Sequence, residues 1–456
     1  MKRTLLLLFL STIALVSAQP ANAGRALLLL SIDGLRPDYV LEADRHGLKI
    51  PNLRALVRDG AYATSVRGVL PTVTYPSHTT IVTGVTPAKH GIVGNKPFGV
   101  AVKDLDVWYS YAEDIRTPTL WEAATQAGYV VGSVSWPVTV GATAIRFNIP
   151  EFNLTRTAED VKITRGLATP GLMAGLEEKA GPYTTDATDS TRRDWSRTRY
   201  AVELIRQKHT RLLTVHLTAP DHIQHRSGPF AAVLLPALEE IDRMVGELRD
   251  AIRAEDPRAT VCIVSDHGFA PVTSVLSLDA AFVKAGLIRL KGPGTTVEAA
   301  GIGDWIARSW PAGGSAAIVL KDPADAAARA KVNDLLQGLA ADPANGIATI
   351  LDEPAIAALG GAPTAQFWVD MKPGFMVSAA LQSAIASEVS ARGAHGYAPT
   401  HPEMGATFIL AGEGIPAGRN LGTIDMRRIA PTLAKLMGVP FPSADLPALE
   451  LSLANQ

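Results

Sequence analysis

Cysteine is nearly absent: Cys262 is the only one in 456 residues, so the chain can form no internal disulfide. A chain this long can bury a core large enough to need no such staples. Cys262 itself lies in the apolar run Thr260-Val261-Cys262-Ile263-Val264 and reads as a small core residue. No long run of one charge sign, no low-complexity tract and no repeat of 20–50 residues is present. Net charge is −1, so there is no basic field to hold nucleic acid, and a nucleic-acid duplex is not an expected partner. Beyond residue 24 no apolar run is long enough to span a bilayer.

Hydrophobic residues make up 47% of the chain, beside 39 Gly and 31 Pro, which suits a loop-rich globular protein. At the N-terminus, Lys2 and Arg3 precede an apolar stretch over residues 5–16, and Ala21-Asn22-Ala23 follows. A basic start, a short apolar core and an A-x-A ending predict a cleaved secretory signal, residues 1–23, with Ala18 as a second cleavage point. The apolar core is shorter than the ~20 residues of a spanning helix, which argues against a retained anchor. Losing Lys2 and Arg3 would take the charge from −1 to −3. The expectation is an exported protein, periplasmic or secreted, with no membrane contact after cleavage.

Strands and helices alternate. Residues 25–32 are an unbroken apolar run ending at Asp33-Gly34, as for a strand buried on both faces. Residues 51–59 read as a helix stopped by Gly60, and 234–254 as a long amphipathic helix. Residues 211–217, 261–265 and 406–411 read as further core strands. This pattern predicts an α/β fold with helices on both faces of a mostly parallel sheet. Ligands in such sheets gather beyond the carboxyl ends of the strands. Residues 274–385 are Ala-rich, with few side chains suited to chemistry, and are expected to form an inserted cap. The core would comprise residues 24–273 and 386–456.

Acidic and histidine residues cluster at the ends of these strands and in loops: Asp33, then Asp221 with His225, then Asp266-His267, then His395. Asp–Gly after a strand is also an ordinary turn, Asp-x-x-x-His in a Pro-containing loop an ordinary solvated pair, and His395 an ordinary loop residue. Together they offer three Asp and three His, enough for two three-residue cation sites, with zinc favoured in the absence of thiolates. In Pro71-Thr72-Val73-Thr74-Tyr75-Pro76-Ser77-His78, Pro76 suits a first helical turn and Gly84 its end. Thr74 would then precede a helix N-terminus, where free N–H groups favour a phosphate. Thr72, Thr74 and Ser77 are also good cap residues, so the segment alone does not distinguish a nucleophile from a cap.

These segments, in this order, resemble the alkaline-phosphatase superfamily, and most closely its nucleotide pyrophosphatase/phosphodiesterase branch. The matching motifs are Ser31-Ile32-Asp33-Gly34, residues 71–84 with Pro87-Ala88-Lys89-His90-Gly91, Asp221-x-x-x-His225, Ser265-Asp266-His267-Gly268 and His395-Gly396-Tyr397. The resemblance implies an α/β/α sandwich holding two divalent metal ions. Asp33, Thr74, Asp266 and His267 would hold the ion that activates the nucleophile. Asp221, His225 and His395 would hold the second. It further implies that Thr74 is the nucleophile of a phospho-threonine intermediate and that the Asn95 amide donates to the phosphate. Two departures are Ser77, where the family commonly has Asn, and Gln224, where it has Gly. His78 and His222 read as structural.

Residues 132–140 carry no Lys or Arg, where a monoesterase of this superfamily usually adds positive charge, and Trp136-Pro137 resembles the diesterase branch. The expected substrate is a small phosphate diester or pyrophosphate, such as a nucleotide conjugate, with Tyr75, Phe98 or Trp136 stacking on it. Phosphonoacetate hydrolysis or phosphomonoester hydrolysis would use the same metal frame. A headgroup transferase usually carries membrane spans that are lacking here. A non-catalytic binding protein would have no need of Thr74.

Overall fold

The structure, a computed structural model, describes residues 24–100, 107–152, 157–186, 188–378, 380–381 and 385–451. The expected signal segment lies outside them.

In chain order the elements that matter are β1 Leu27–Ile32, α1 Pro51–Asp59, β2 Ala61–Tyr62, α2 Thr74–Thr83, β3 Val131–Val134, β4 Phe147–Ile149, α3 Ser190–Lys208, β5 Leu212–Leu217, α4 Ala219–Ser227, α5 Leu234–Glu255 and β6 Thr260–Val264. After them come β7 Ala270–Leu276, β8 Ala307–Pro311, β9 Ser315–Leu320, α6 Ala326–Ala341, β10 Ile347–Asp352, β11 Phe367–Met371, β12 Gly374–Val377, β13 Ala386–Ala394, β14 Phe408–Ala411, β15 Arg419–Asn420 and α7 Ile429–Met437.

An eight-stranded sheet forms the centre, in the order β15-β2-β14-β6-β1-β5-β3-β4. β1 runs parallel to both β5 and β6, with Leu29 opposite Thr214 on one side and Cys262 on the other. β14 is antiparallel to β6 and β2. Alternation along β1 sends its leucines to two separate cores. Leu28, Leu30 and Ile32 pack with α1, α3 and α5 through Leu53, Tyr200 and Ile241. Leu27 and Leu29 pack with α2 and α7 through Ile81 and Leu433. Burial on both faces is what made β1 a continuous apolar run. The Cys262 thiol is buried in this sheet.

Between β7 and β13 the chain builds a second sheet, wholly antiparallel, in the order β8-β9-β11-β10. Val332 and Leu336 of α6 cover one of its faces, against Ile318 and Val369. The opposite face sets Ala317 and Trp368 against Leu70 and Ala398 of the core loops. β7 pairs with β12 in parallel and with β13 antiparallel in a linking sheet, so the strand that carries residues 386–394 lies beside β7. No helix among the described residues is long and apolar enough to cross a membrane.

Candidate active site

The adjacency of β1, β5 and β6 brings their carboxyl ends together. The Asp33 N–H donates to the Leu217 carbonyl at 2.9 Å, and the Gly34 N–H donates to Asp266 Oδ1 at 3.1 Å. Gly34 takes φ 67°, and a Cβ there would stand 2.7 Å from the Phe269 ring, so the turn that aims Asp33 requires glycine. Asp33, Asp266 and His267 each present a ligand atom to one small volume, with all three atoms within 4.8 Å of one another.

Asp221, His225 and His395 form a second such group. Sequence reasoning placed the first two in a loop, but both lie on helix α4, one turn apart on the same face. The cap of that helix comes from far along the chain. Asp194 Oδ2 of α3 accepts from the N–H groups of Thr218 and Ala219, at 2.8 and 2.7 Å. No local cap announces the helix, which is why it was not legible. His395 follows β13 directly. Its Nδ1 donates to the Thr72 carbonyl at 3.1 Å, turning Nε2 toward His225 Nε2 at 3.2 Å and Asp221 Oδ1 at 3.6 Å. The rings of His395 and His267 stack at 3.6 Å and join the two clusters.

Thr74 is the first residue of α2 rather than the residue before it, and it too is buried. Its Oγ1 lies 3.5 Å from His267 Nε2. Asn95 Oδ1 accepts from the Tyr75 N–H at 2.9 Å, which leaves the Asn95 amide N–H groups as the donors to offer a ligand at the helix start. His78 is structural in its contacts. Nδ1 donates to the Thr74 carbonyl and Nε2 accepts from Ser31 Oγ, both at 2.8 Å. Burial and the neighbouring His216 push its pKa down to about 3, so it stays neutral. His222 Nδ1 donates to the Thr218 carbonyl at 3.1 Å, within a helical turn.

Electrostatically the site is short of positive charge. Asp33 Oδ1, Asp221 Oδ1 and Asp266 Oδ2 are buried and accept no hydrogen bond. Burial, and then the charges of Asp221 and Asp266, drives the Asp33 carboxyl well above the usual carboxylate range. Burial alone would raise Asp266 too, but His267 and His78 hold it well below. Burial and the neighbouring His267 and His225 hold His395 well below the usual histidine range, in the neutral form a metal ligand needs. Buried carboxylate oxygens facing imidazole nitrogens fit a divalent cation in each cluster, of the kind that takes O and N donors.

Two of the three expected stacking residues face elsewhere. Trp136 is fully buried, edge-on to His78 at 4.9 Å and to Trp121 at 6.4 Å, so it supports His78 and cannot meet a substrate. Tyr75 is 2% exposed, and its hydroxyl donates to Glu151 Oε1 at 3.1 Å. Phe98 is half-buried, beside Trp310 of β8 at 5.5 Å and Trp305 at 6.1 Å.

Sequence reasoning missed His216 and Glu151. His216 sits at the end of β5, its Nε2 3.1 Å from Asp33 Oδ2 and its Nδ1 3.0 Å from Glu151 Oε2. It fixes the Asp33 carboxylate from behind. Burial would raise Glu151, but His216 and then Arg197 bring it down to about 2. The available signal was a histidine in the otherwise uncharged run Leu212-Leu213-Thr214-Val215-His216-Leu217, a buried position that demands partners.

A parallel sheet that gathers two Asp/His clusters and a helix-start threonine beyond its carboxyl edge has the donor groups to hold cations beside an anionic ligand. The family model for type I phosphodiesterase/nucleotide pyrophosphatase matches residues 27–398, and the chain belongs to that family. Among curated relatives, venom phosphodiesterase 2 of Crotalus adamanteus is 26% identical over 256 residues, 54% of this chain and 27% of its own. Ectonucleotide pyrophosphatase/phosphodiesterase family member 7 of Mus musculus is 25% identical over 269 residues, 58% of this chain and 54% of its own. The chain thus spans about a quarter to a half of the length of these relatives. Human ectonucleotide pyrophosphatase/phosphodiesterase 5 superposes with TM-score 0.64 at 19% identity, covering 91% of this chain and 96% of that one. An inactive murine form of the same protein, in complex with AMP, superposes equally well at 18% identity. The fold is therefore that of the alkaline-phosphatase-like sandwich.

Proposed function

We propose that this protein is a two-metal phosphodiesterase/nucleotide pyrophosphatase that works through a phospho-threonine intermediate. The observation that carries the reading is the convergence of three hydrogen-bond-free carboxylate oxygens, three histidines and Thr74 at one sheet edge. Asp33, Asp266 and His267, with Thr74, would hold one divalent ion, and Asp221, His225 and His395 the other. Zinc suits this donor set. When bound, the ions supply positive charge to the phosphate and acidity to the nucleophile.

Thr74 Oγ gives up its proton to solvent and attacks phosphorus, and the Thr74–phosphorus bond forms as the bond to the leaving oxygen breaks and that oxygen takes the electron pair. Water then loses a proton and attacks phosphorus, and the Thr74 oxygen departs with the bond's electron pair and takes up a proton to restore the hydroxyl. Asn95 donates its amide to a phosphate oxygen at the start of α2. His78 holds the Thr74 carbonyl, and His216 holds Asp33, so the attacking and charge-bearing groups are placed before substrate arrives. Family membership and the AMP complex of the murine structural relative support a nucleotide-like substrate. The basic-apolar-Ala start of the sequence supports export to the periplasm or the exterior, and residues 274–385 are proposed as the inserted cap.

The test is hydrolysis of bis-p-nitrophenyl phosphate, p-nitrophenyl phosphate and phosphonoacetate, with and without chelator. Preference for the diester, lost with chelator and restored by zinc, is expected. Preference for either other substrate would overturn the diesterase assignment, and no turnover on any would point to a binding protein.

A further inference from the structure

Gln224 lies on α4 between Asp221 and His225 of one cluster, fully buried, at the position where the family commonly has Gly. Its side chain reaches the turn that carries Asp33 of the other cluster. Gln224 Nε2 donates to the Gly34 carbonyl at 3.0 Å, while the Gly34 N–H donates to Asp266 Oδ1. Tyr39 decides which way round the amide sits. Its buried hydroxyl accepts from the Phe230 N–H at 2.7 Å, so its own proton goes to Gln224 Oε1 at 3.0 Å. The amide then presents an N–H to Gly34 and has a partner at each end, as a buried amide requires.

The backbone of α4 is also held against β13. A Cβ at Gly393 would stand 2.7 Å from the Gln224 carbonyl oxygen, and the Gly393 carbonyl accepts from His225 Nδ1 at 3.4 Å. Asp221, His225 and His395 are therefore carried by one close-packed unit, and the Gln224 side chain ties that unit to the Asp33-Gly34 turn. We propose that Gln224 is a positioning residue that couples the two cation sites. An ion held by Asp33, Asp266 and His267 orders the turn, and the Gln224 bond passes that order to α4, so the second ion binds more tightly. Glycine at this position has no side chain to make the tie, so the coupling belongs to this chain's own sequence. Coupling between sites is typically about 5–150-fold in affinity. This inference rests on the two-metal reading above.

The test is a double-mutant cycle on the metal-free full chain, titrated with zinc against a competing chelator. His225→Ala disables the second site without removing a carboxylate. Its weakening of zinc binding at the remaining site should be about tenfold greater in the wild-type background than in the Gln224→Ala background. Tyr39→Phe removes the hydroxyl that orients the amide and leaves every candidate ligand in place, so it should abolish part of the same coupling. An effect of His225→Ala that agrees within about twofold between the two backgrounds overturns the proposal, and a loss of stability in urea beside it would assign Gln224 to packing. If Gln224→Ala does not fold, unchanged coupling in Tyr39→Phe overturns the proposal instead. A wild type that binds fewer than two zinc ions also overturns it. A wild type that binds two ions but cleaves no phosphate ester would refute the phosphodiesterase reading alone, and the cycle would still decide the role of Gln224.

Discussion

The central sheet and the inserted sheet both bury apolar strands, yet only one of them carries candidate ligands. β1, β5 and β6 are buried on both faces and parallel, so their carboxyl ends open together on one edge. Charged residues placed just past those ends converge with little choice. In the inserted sheet the antiparallel strands β8, β9, β11 and β10 send alternate ends to opposite edges, and no comparable convergence exists there among the described residues. Its contribution is support. The Gly314 N–H donates to the His395 carbonyl at 2.8 Å, and Ser315 donates to the Gly396 carbonyl. Asp370 accepts from the Ala398 N–H at 2.8 Å. The core supplies the candidate ligands, and the insertion holds the loop that aims one of them.

The sharpest way to break this contrast is Thr74→Ala. It should lower kcat by at least about a thousandfold while metal content stays near two per chain, measured by atomic emission. Retained turnover would reduce Thr74 to a helix residue. Next comes Asp221→Ala, which should lower bound metal from two to one and cut turnover at least about a hundredfold. An unchanged metal count would place the second ion elsewhere.

Gly396→Ala probes the supporting side. Gly396 takes φ 86°, and a Cβ there would lie 1.6 Å from the Ala312 carbonyl oxygen. The variant should lose about 2–4 kcal/mol in urea unfolding from left-handed strain and the clash together. Near-native stability would mean that the insertion does not clamp this loop.

The smallest effect concerns pH. His401 Nε2 lies 2.6 Å from Asp370 Oδ2, and that bond raises the His401 pKa despite partial burial. A histidine raised on folding stabilises fully below its unfolded pKa of about 6.5 and loses that share as pH climbs through the folded value. The wild type should therefore be steadier than His401→Gln at pH about 5.5, by up to about 1 kcal/mol, with the gap closing by pH about 9. A gap independent of pH would assign the contact to packing.

Much of the core was legible because its strands are buried on two faces and its helices on one stripe. Residues 51–59 with Gly60 and residues 234–254 fold nearly as their periodicity predicts, as α1 and α5. Legibility failed where the partner was remote. α4 is capped by Asp194 of another helix, so its sequence resembled a loop. Trp136 and Tyr75 looked like substrate aromatics, but neighbours from other parts of the chain, His78 and Trp121 for the first and Trp108 for the second, bury them. His216 looked like one residue of a strand until Asp33 and Glu151 met its two nitrogens.

By itself the sequence determined which segments become buried strands and which residue types stand at their ends, because period and polarity act locally. Only the tertiary structure decided which of those ends meet and which aromatics remain within reach. Those outcomes depend on strand order and on contacts between residues up to hundreds of positions apart, which no local pattern records.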